Sequence, residues 1–198
     1  MNRRYLALGD SYTIGEGVLR EGTWPHQLAA RLGDRVDPPE VIAQTGWTTD
    51  ELDAAITEAD PRGPFALVTL LIGVNDQYRG RAVDSYRAGF NGLLERAVGF
   101  AGGEARRVVV ASIPDWGRTA FQPRDDRERT RDQITREVDT FNATAREITE
   151  VGGAAWVDLT PLSRTQGAMT VADDLHPTAE AYAAWTDLLL PAARVALR

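Results

Sequence analysis

The chain has 198 residues, a length typical of one compact domain with a substantial hydrophobic core. Its net charge of −7 at pH 7 argues against nucleic acids and anionic membrane surfaces as partners. It contains no cysteine and no lysine, which excludes disulfides, thiol nucleophiles, Schiff-base chemistry and lysine-dependent phosphate loops. With only two histidines, His26 and His176, a histidine-rich metal site is not expected. Serine, carboxylates, asparagine, tyrosine and these two imidazoles remain for polar chemistry.

The predicted elements alternate between strand and helix along the whole chain. Short apolar runs predict strands, and apolar residues at three- and four-residue steps predict the helices that follow them. This alternation predicts an α/β fold with a parallel sheet and helices on both faces. The predicted strands are 5–8, 41–43, 65–72, 108–113 and 154–157, and the helical faces lie within 24–32, 48–60, 82–97, 134–148 and 182–189.

Residues suited to chemistry follow four of the predicted strands. Ser11 stands just after the first strand, Gly46 after the second, Asn75 after the third and His176 after the last. In open α/β sheets, ligands bind at the carboxyl ends of the strands. We therefore expect these four residues to lie along one edge of the sheet.

Their chemistry is that of a serine hydrolase. Ser11 supplies a hydroxyl, His176 a base, and Asp173, three residues before the histidine, a carboxylate to orient it. The N–H groups of Ser11 and Gly46 and the amide of Asn75 are candidate donors to an oxyanion.

Simpler interpretations exist for the same residues. Asp174 is an alternative orienting carboxylate, although its side chain should point elsewhere on a local turn. Asn75 and the following aspartate could merely form a turn that caps a helix. His176, followed by proline, could merely start one. His26 has no motif around it and is interpreted as structural or superficial.

Taken together, these residues resemble the conserved blocks of the SGNH (GDSL) hydrolase family. The resemblance covers the chain from the first strand to the start of the last helix. No G-x-S-x-G elbow is present, which argues against the α/β-hydrolase fold. The matching segments are Gly9-Asp10-Ser11, Gly46, Gly73-Val74-Asn75-Asp76 and Asp173-Asp174-Leu175-His176-Pro177.

The resemblance implies a three-layer α/β/α, flavodoxin-like fold with five parallel strands, forming a single domain over residues 1–198. It implies Ser11 as nucleophile, His176 as base and Asp173 as orienting carboxylate. It assigns the oxyanion hole to Ser11, Gly46 and Asn75. It implies no metal and no cofactor.

The leading functional hypothesis is a serine hydrolase that cleaves a lipid or small acyl ester through an acyl-enzyme. Carbohydrate O-acetyl esters, thioesters and acyl transfer to an alcohol remain alternatives, because the motifs report the reaction and not the substrate. A non-catalytic flavodoxin-like binding module is a further alternative. The expected partner is a small-molecule ester, with no nucleic acid and no stable membrane insertion, and the oligomeric state is left open. The N-terminal segment has no long apolar run, so a cytoplasmic location is expected.

The aromatic residues divide into two groups. Trp47, Trp116 and Phe121 lie on loops beyond strand ends, where they could line a substrate pocket or simply pack. Trp156, on the last predicted strand, is expected in the core together with Trp24 and Trp185. The charged segment 124–132 is interpreted as the solvated start of a helix.

Overall fold

The computed structural model describes residues 3–198, apart from the side chain of Pro123. Met1 and Asn2, which belong to the segment used to predict location, lie outside the described residues. The centre of the molecule is one sheet of five strands in the order β2-β1-β3-β4-β5, and every pairing is parallel. The strands are β1 (Tyr5–Gly9), β2 (Glu40–Ala43), β3 (Leu67–Leu71), β4 (Val108–Ala111) and β5 (Ala155–Val157).

Burial follows the position of each strand in the sheet. The three central strands are buried along their whole length, which explains their nearly continuous apolar sequences. The two edge strands, β2 and β5, are less completely covered. Trp156, predicted in the core, is therefore only partly buried and packs against the edge of the core. A residue on an edge strand lacks a neighbouring strand on one side.

Helices cover both faces of the sheet, which confirms the three-layer α/β/α prediction. The helix Trp24–Leu32 packs on the C-terminal helix, while the long helices after β2, β3 and β4 pack in sequence against one another. No helix among residues 3–198 is long and apolar enough to cross a membrane. The helices are α1 (Ser11–Ile14), α2 (Trp24–Leu32), α3 (Thr49–Ala59), α4 (Val74–Tyr78), α5 (Val83–Phe100), α6 (Arg131–Val151), α7 (Thr160–Thr165) and α8 (Ala179–Ala196).

Capping residues in the sequence set where α3 and α6 begin. The backbone N–H of Thr48 donates to the Glu51 carboxylate at 2.9 Å, and the two residues form a capping box, the pattern that their spacing in the sequence favours. A second box opens α6, where Thr130 and Gln133 exchange hydrogen bonds of 2.7 and 3.2 Å. These caps satisfy N–H groups that have no partner within the helix.

Three short helices were not predicted. With four to six residues, α1, α4 and α7 are too short to reveal a helical period. Two of them matter for function, because α1 starts at Ser11 and α4 contains Asn75. The loop after β4 contains single 3₁₀ turns at Trp116–Arg118 and Gln122–Arg124.

Candidate active site

Ser11 is held at the junction between β1 and α1. The preceding Asp10 caps α1, and its Oδ1 accepts a hydrogen bond of 3.0 Å from the N–H of Tyr12. Gly9 permits this sharp junction, because a Cβ at that position would collide with the Leu71 carbonyl and the Thr13 side chain. Ser11 is thus the first helical residue beyond a rigid central strand.

Asp173 fixes the His176 imidazole. His176 Nδ1 lies 2.6 Å from one carboxylate oxygen of Asp173. The other oxygen accepts the backbone N–H groups of Leu175 at 2.8 Å and His176 at 2.9 Å. Partial burial acts to raise the pKa of Asp173, but these hydrogen bonds outweigh it and hold the pKa below its usual value. Asp173 therefore stays ionised at neutral pH and can accept a hydrogen bond from His176 Nδ1.

Asp174 faces away from the imidazole. Its carboxylate pairs with Arg124 at 2.5 Å, and its carbonyl accepts the N–H of Phe121 at 3.0 Å. Its φ of 65° turns the backbone between the two aspartates, so their side chains point to different partners. The structure therefore brings Asp173, and not Asp174, to His176.

Ser11, Gly46, Asn75 and His176 all line one cavity of about 150 Å³. Ser11 and His176 are 4% and 6% exposed, so both are largely withdrawn from bulk water. Within the described residues, the Ser11 hydroxyl makes no hydrogen bond, to His176 or to any other group. Hydrogen bonds between a nucleophile and its base often tighten only when substrate is present.

The remaining wall of this cavity is largely apolar. Of the three aromatic residues for which lining and packing were both left open, Trp116 and Phe121 line this cavity, whereas Trp47 lies outside it and packs as a partly buried residue against the core. Five lining residues were not predicted. Each stands within three positions of Ser11, Gly46, Asn75 or His176, which is the signal that could have identified them; they are Tyr12, Thr45, Val74, Tyr78 and Leu175.

The loop that carries Gly46 is braced from α4. Gly46 has a φ of +87°, a conformation that favours glycine. Arg79 Nη2 donates to the Gly46 carbonyl at 2.7 Å, and Nη1 of the same guanidinium lies 3.2 Å from Glu51. Asn75 Nδ2 donates to the Trp47 carbonyl at 2.8 Å. These bonds orient the backbone at Gly46 and occupy one of the two Asn75 amide hydrogens, leaving the second free.

The backbone N–H groups of Ser11 and Gly46 donate no hydrogen bond within the part of the chain that the structure describes. Ser11 is the first residue of α1, where an N–H has no partner inside the helix. Both N–H groups belong to residues that line the cavity. They are therefore available to an oxygen atom bound there.

Asn75 and Asp76 make different contacts, although from the sequence both could form a turn that caps a helix. Asp76 is fully buried and accepts bonds from the N–H and hydroxyl of Thr49 at 3.0 and 2.9 Å. It thereby caps α3, and burial raises its pKa. Asn75 faces the cavity instead. Asp76 therefore caps the earlier helix α3 and not a helix that begins at its own turn.

The segment 124–132 is not fully solvated, contrary to the prediction. The Arg129 side chain is 6% exposed and lies 2.9 Å from both Asp125 and Glu137. It also donates to the carbonyls of Gln77 and Tyr78 at 3.3 and 3.2 Å. The Gln77 carbonyl also accepts the backbone N–H of Gly80 at 2.9 Å. The two carboxylates compensate the buried guanidinium.

His26 does not line the cavity and is bonded to residues near the start of α2. Its Nε2 accepts a bond of 2.8 Å from Arg20, and its Nδ1 lies 2.9 Å from the Thr23 hydroxyl. Partial burial and then the Arg20 charge lower its pKa. Within residues 3–198, no group of three or more His, Asp or Glu side chains could hold a metal ion.

The chain belongs to the GDSL-like lipase/acylhydrolase family, whose family model matches residues 7–184. This membership makes it an esterase of the GDSL type, and the matched range contains the whole candidate site. No curated protein sequence matches the chain.

Solved structures share the fold. TesA is 20% identical, with a TM-score of 0.74 over 98% of this chain and 99% of that one. The acetylxylan esterase Axe2 from Geobacillus stearothermophilus is 19% identical, with a TM-score of 0.66 and coverage of 98% and 94%. An extracellular lipase from Streptomyces rimosus is 21% identical, with a TM-score of 0.63 and coverage of 98% and 99%. At these identities the likeness concerns the fold.

Proposed function

We propose that this esterase hydrolyses carboxylic esters with apolar acyl groups, from lipids or small acyl esters, through an acyl-enzyme on Ser11. The observation that carries the proposal is the 2.6 Å contact between His176 Nδ1 and Asp173 beside a cavity that also contains Ser11. A carboxylate in this contact keeps the proton on Nδ1 and leaves Nε2 free to act as a base.

In the first half of the reaction, Ser11 Oγ attacks the ester carbonyl carbon and its proton passes to His176 Nε2. The carbonyl oxygen becomes an oxyanion, which the N–H groups of Ser11 and Gly46 and the Asn75 amide stabilise. The intermediate then collapses, the C–O bond to the alcohol breaks, and the alcohol leaves with the proton from His176.

In the second half, a water molecule takes the place of the alcohol. His176 Nε2 removes a proton from this water as its oxygen attacks the acyl carbon. The second oxyanion collapses, the bond to Ser11 Oγ breaks, and Ser11 recovers its proton from His176. The products are the carboxylic acid and the free enzyme.

The composition of the cavity supports an apolar acyl group. Its aromatic and aliphatic lining residues are Tyr12, Val74, Tyr78, Trp116, Phe121 and Leu175. The described lining residues include no Asp, Glu, Arg or Lys, and His176 is the only histidine among them. A sugar ring requires several converging polar partners, so this lining favours lipid or small acyl esters over acetylated carbohydrates.

The proposal is tested with a panel of substrates and variants. Chromogenic esters from acetyl to dodecanoyl, an acetylated xylan oligosaccharide and a lysophospholipid are offered to the wild type, S11A and H176A. The matched controls are S85A, an exposed serine on α5, and H26A. We expect Ser11-dependent hydrolysis of the simple esters, with a loss of at least ~10³-fold in S11A and H176A.

A fluorophosphonate probe followed by mass spectrometry supplies an independent readout. The adduct should lie on Ser11 and should be absent from S11A, while S85A should label normally. A folded S11A protein with wild-type turnover would contradict the proposal. Added alcohols distinguish hydrolysis from acyl transfer, because transfer would produce a new ester.

A further inference from the structure

A second cavity lies behind the catalytic one. Tyr12, Trp116 and Leu175 line both cavities, so these three side chains form the wall between them. The second cavity holds only about 20 Å³, room for about one water molecule. Its far side is formed mainly by residues of the loop after β4, the segment before His176, and α8.

This second cavity suits an apolar guest. Pro114, Met169, Ala181 and Trp185 contribute to its lining. Three of its polar lining side chains, Asp115, Ser163 and Gln166, are already bonded within the protein; Gln166 Oε1, for example, accepts Trp185 Nε1 at 2.8 Å. In the described chain, the buried side-chain atoms that lack a hydrogen-bond partner belong to Asp10, Thr13 and Tyr182, and none of these residues lines this cavity.

Trp116 is firmly held in the wall. It is 2% exposed, and its Nε1 donates to the Gln77 side chain at 2.7 Å. The Tyr78 ring stands edge-on at 5.4 Å, and the Arg129 guanidinium lies 5.2 Å from the indole. Contacts on several sides oppose rotation of the indole. The wall is therefore a fixed boundary of the catalytic cavity.

Trp116 also differs from the other two wall residues in its relation to the triad. The Tyr12 ring lies 5.3 Å from the His176 imidazole, and the Leu175 N–H donates to Asp173. In the described structure, Trp116 makes no hydrogen bond or ring contact with Ser11, His176 or Asp173. Its side chain can therefore be changed without removing a direct partner of the triad.

We propose that Trp116 limits the length of the acyl chain that the enzyme accepts. An acyl group attached to Ser11 would occupy the catalytic cavity and end at the indole. Removal of the indole would join the two cavities and provide an apolar site for the distal methylenes of a longer chain. The proposal rests on the proposed function, since it assigns the acyl group to this cavity.

The test compares three variants across linear esters from acetyl to dodecanoyl. W116A opens the wall. W116F keeps an aromatic ring there but loses the bond to Gln77, and F121A widens the catalytic cavity without touching the second one. Each newly buried methylene contributes up to about fourfold in kcat/KM. The ratio of kcat/KM for decanoyl over butyryl esters should rise at least ~10-fold in W116A and stay near the wild-type ratio in W116F and F121A.

Two results would overturn the proposal: an unchanged chain-length profile in folded W116A, or the same gain in F121A. If W116A does not fold, as judged by circular dichroism and thermal melting, W116L takes its place with the same expectation.

A binding measurement separates this proposal from the catalytic one. Linear carboxylic acids from butyric to dodecanoic are titrated by calorimetry into S11A and into the S11A/W116A double variant. Longer acids should gain affinity only in the double variant. If longer acids gain affinity but the ester panel shows no Ser11-dependent hydrolysis, the role of Trp116 as a wall is supported and the catalytic proposal is rejected. If longer acids gain no affinity, the role of Trp116 as a wall is rejected.

Discussion

Asp173 and Asp174 are adjacent in the chain, but their carboxylates serve different parts of the molecule. Asp173 accepts two backbone N–H groups and contacts His176, whereas Asp174 pairs with Arg124. Arg124 Nη1 also donates to the Asp173 carbonyl at 3.0 Å, so the two aspartates are linked through one guanidinium. Individual contacts of this kind decide which of two identical side chains can orient a base.

The residue-scale prediction separates these two carboxylates. D173N should lower kcat strongly, by a factor of the order of 10³–10⁴, because the amide cannot hold His176 in the required tautomer. D174N should lower kcat by less than ~10-fold, since it only weakens an exposed ion pair. Steady-state kinetics at neutral pH on both folded variants measure the difference. A larger loss in D174N than in D173N would show that the assignment is reversed.

At the scale of elements, the short helix α4 connects the loop of Gly46 and Trp47 with the Trp116 side of the cavity. Asn75 within it contacts the carbonyl of Trp47, and Arg79 just beyond it contacts the carbonyl of Gly46. Arg129 donates to two carbonyls at the end of this helix, and the Gln77 side chain accepts the Trp116 Nε1–H. A helix of five residues thus joins the loop that carries Gly46 to the apolar side of the cavity.

Arg79 is expected to act as a positioning residue for the Gly46 N–H. R79A should lower kcat about 10-fold with a smaller change in KM, because the oxyanion donor matters most in the transition state. This is less than the ~10²–10³ typical of losing a donor outright, the loss that we expect for N75A. R79K should recover part of the activity, since an ammonium can reach the Gly46 carbonyl but cannot also fork to Glu51.

The control for Arg79 is R87A, which breaks a surface ion pair between α5 and α6. It should leave kcat near the wild-type value. If R79A lowered the melting temperature and left kcat unchanged, its bond to Gly46 would be structural only.

For the molecule as a whole, the pH dependence of stability is expected to depend on the buried carboxyl of Asp10, the residue before Ser11. It is fully buried, and its Oδ2 has no hydrogen-bond partner among the described residues. Burial raises its pKa to about 8; the bond from the Tyr12 N–H opposes this rise and the nearby Asp76 charge adds to it. The folded state therefore favours protonated Asp10 over the neutral range.

The sign of the resulting pH dependence follows from this raised pKa. Between the ordinary aspartate pKa of about 3.9 and the folded value of about 8, the folded state binds more protons than the unfolded state. Stability should therefore fall as pH rises through this window, by at most ~1.4 kcal/mol per pH unit from Asp10. Asp76, whose pKa is also raised, contributes in the same direction. Asp173 has a lowered pKa, so its contribution to the stability of the protein is lost only in acid, when its carboxylate becomes protonated.

D10N tests this assignment, because asparagine keeps the Oδ1 acceptor for Tyr12 and cannot ionise. Free energies of unfolding from urea titrations between pH 5 and pH 9 should decline less steeply in D10N than in the wild type. The control is D84N, an exposed aspartate on α5, which should follow the wild-type slope. Equal slopes for D10N and the wild type would assign the pH dependence to other groups.

Local patterns in the sequence were sufficient to predict the layered fold and the approximate position of every strand. Apolar runs and helical periods depend on neighbours a few residues away, and capping pairs such as Thr48 and Glu51 are equally local. The order of Ser11, Gly46, Asn75 and His176 after the strands also predicted that they would meet, because parallel strands end at one edge. Their catalytic roles stay predictions until the variants are measured.

The tertiary structure decided what lies around those residues. Trp47 is outside the cavity and Trp116 forms its wall, although both follow strands and look alike in the sequence. Arg129 is buried because the end of α4, some fifty residues earlier in the chain, presents two carbonyls to it. Trp156 is partly exposed because its strand lies at the edge of the sheet. Each outcome depends on contacts between segments that are distant in sequence, and such contacts leave no periodic pattern in the chain.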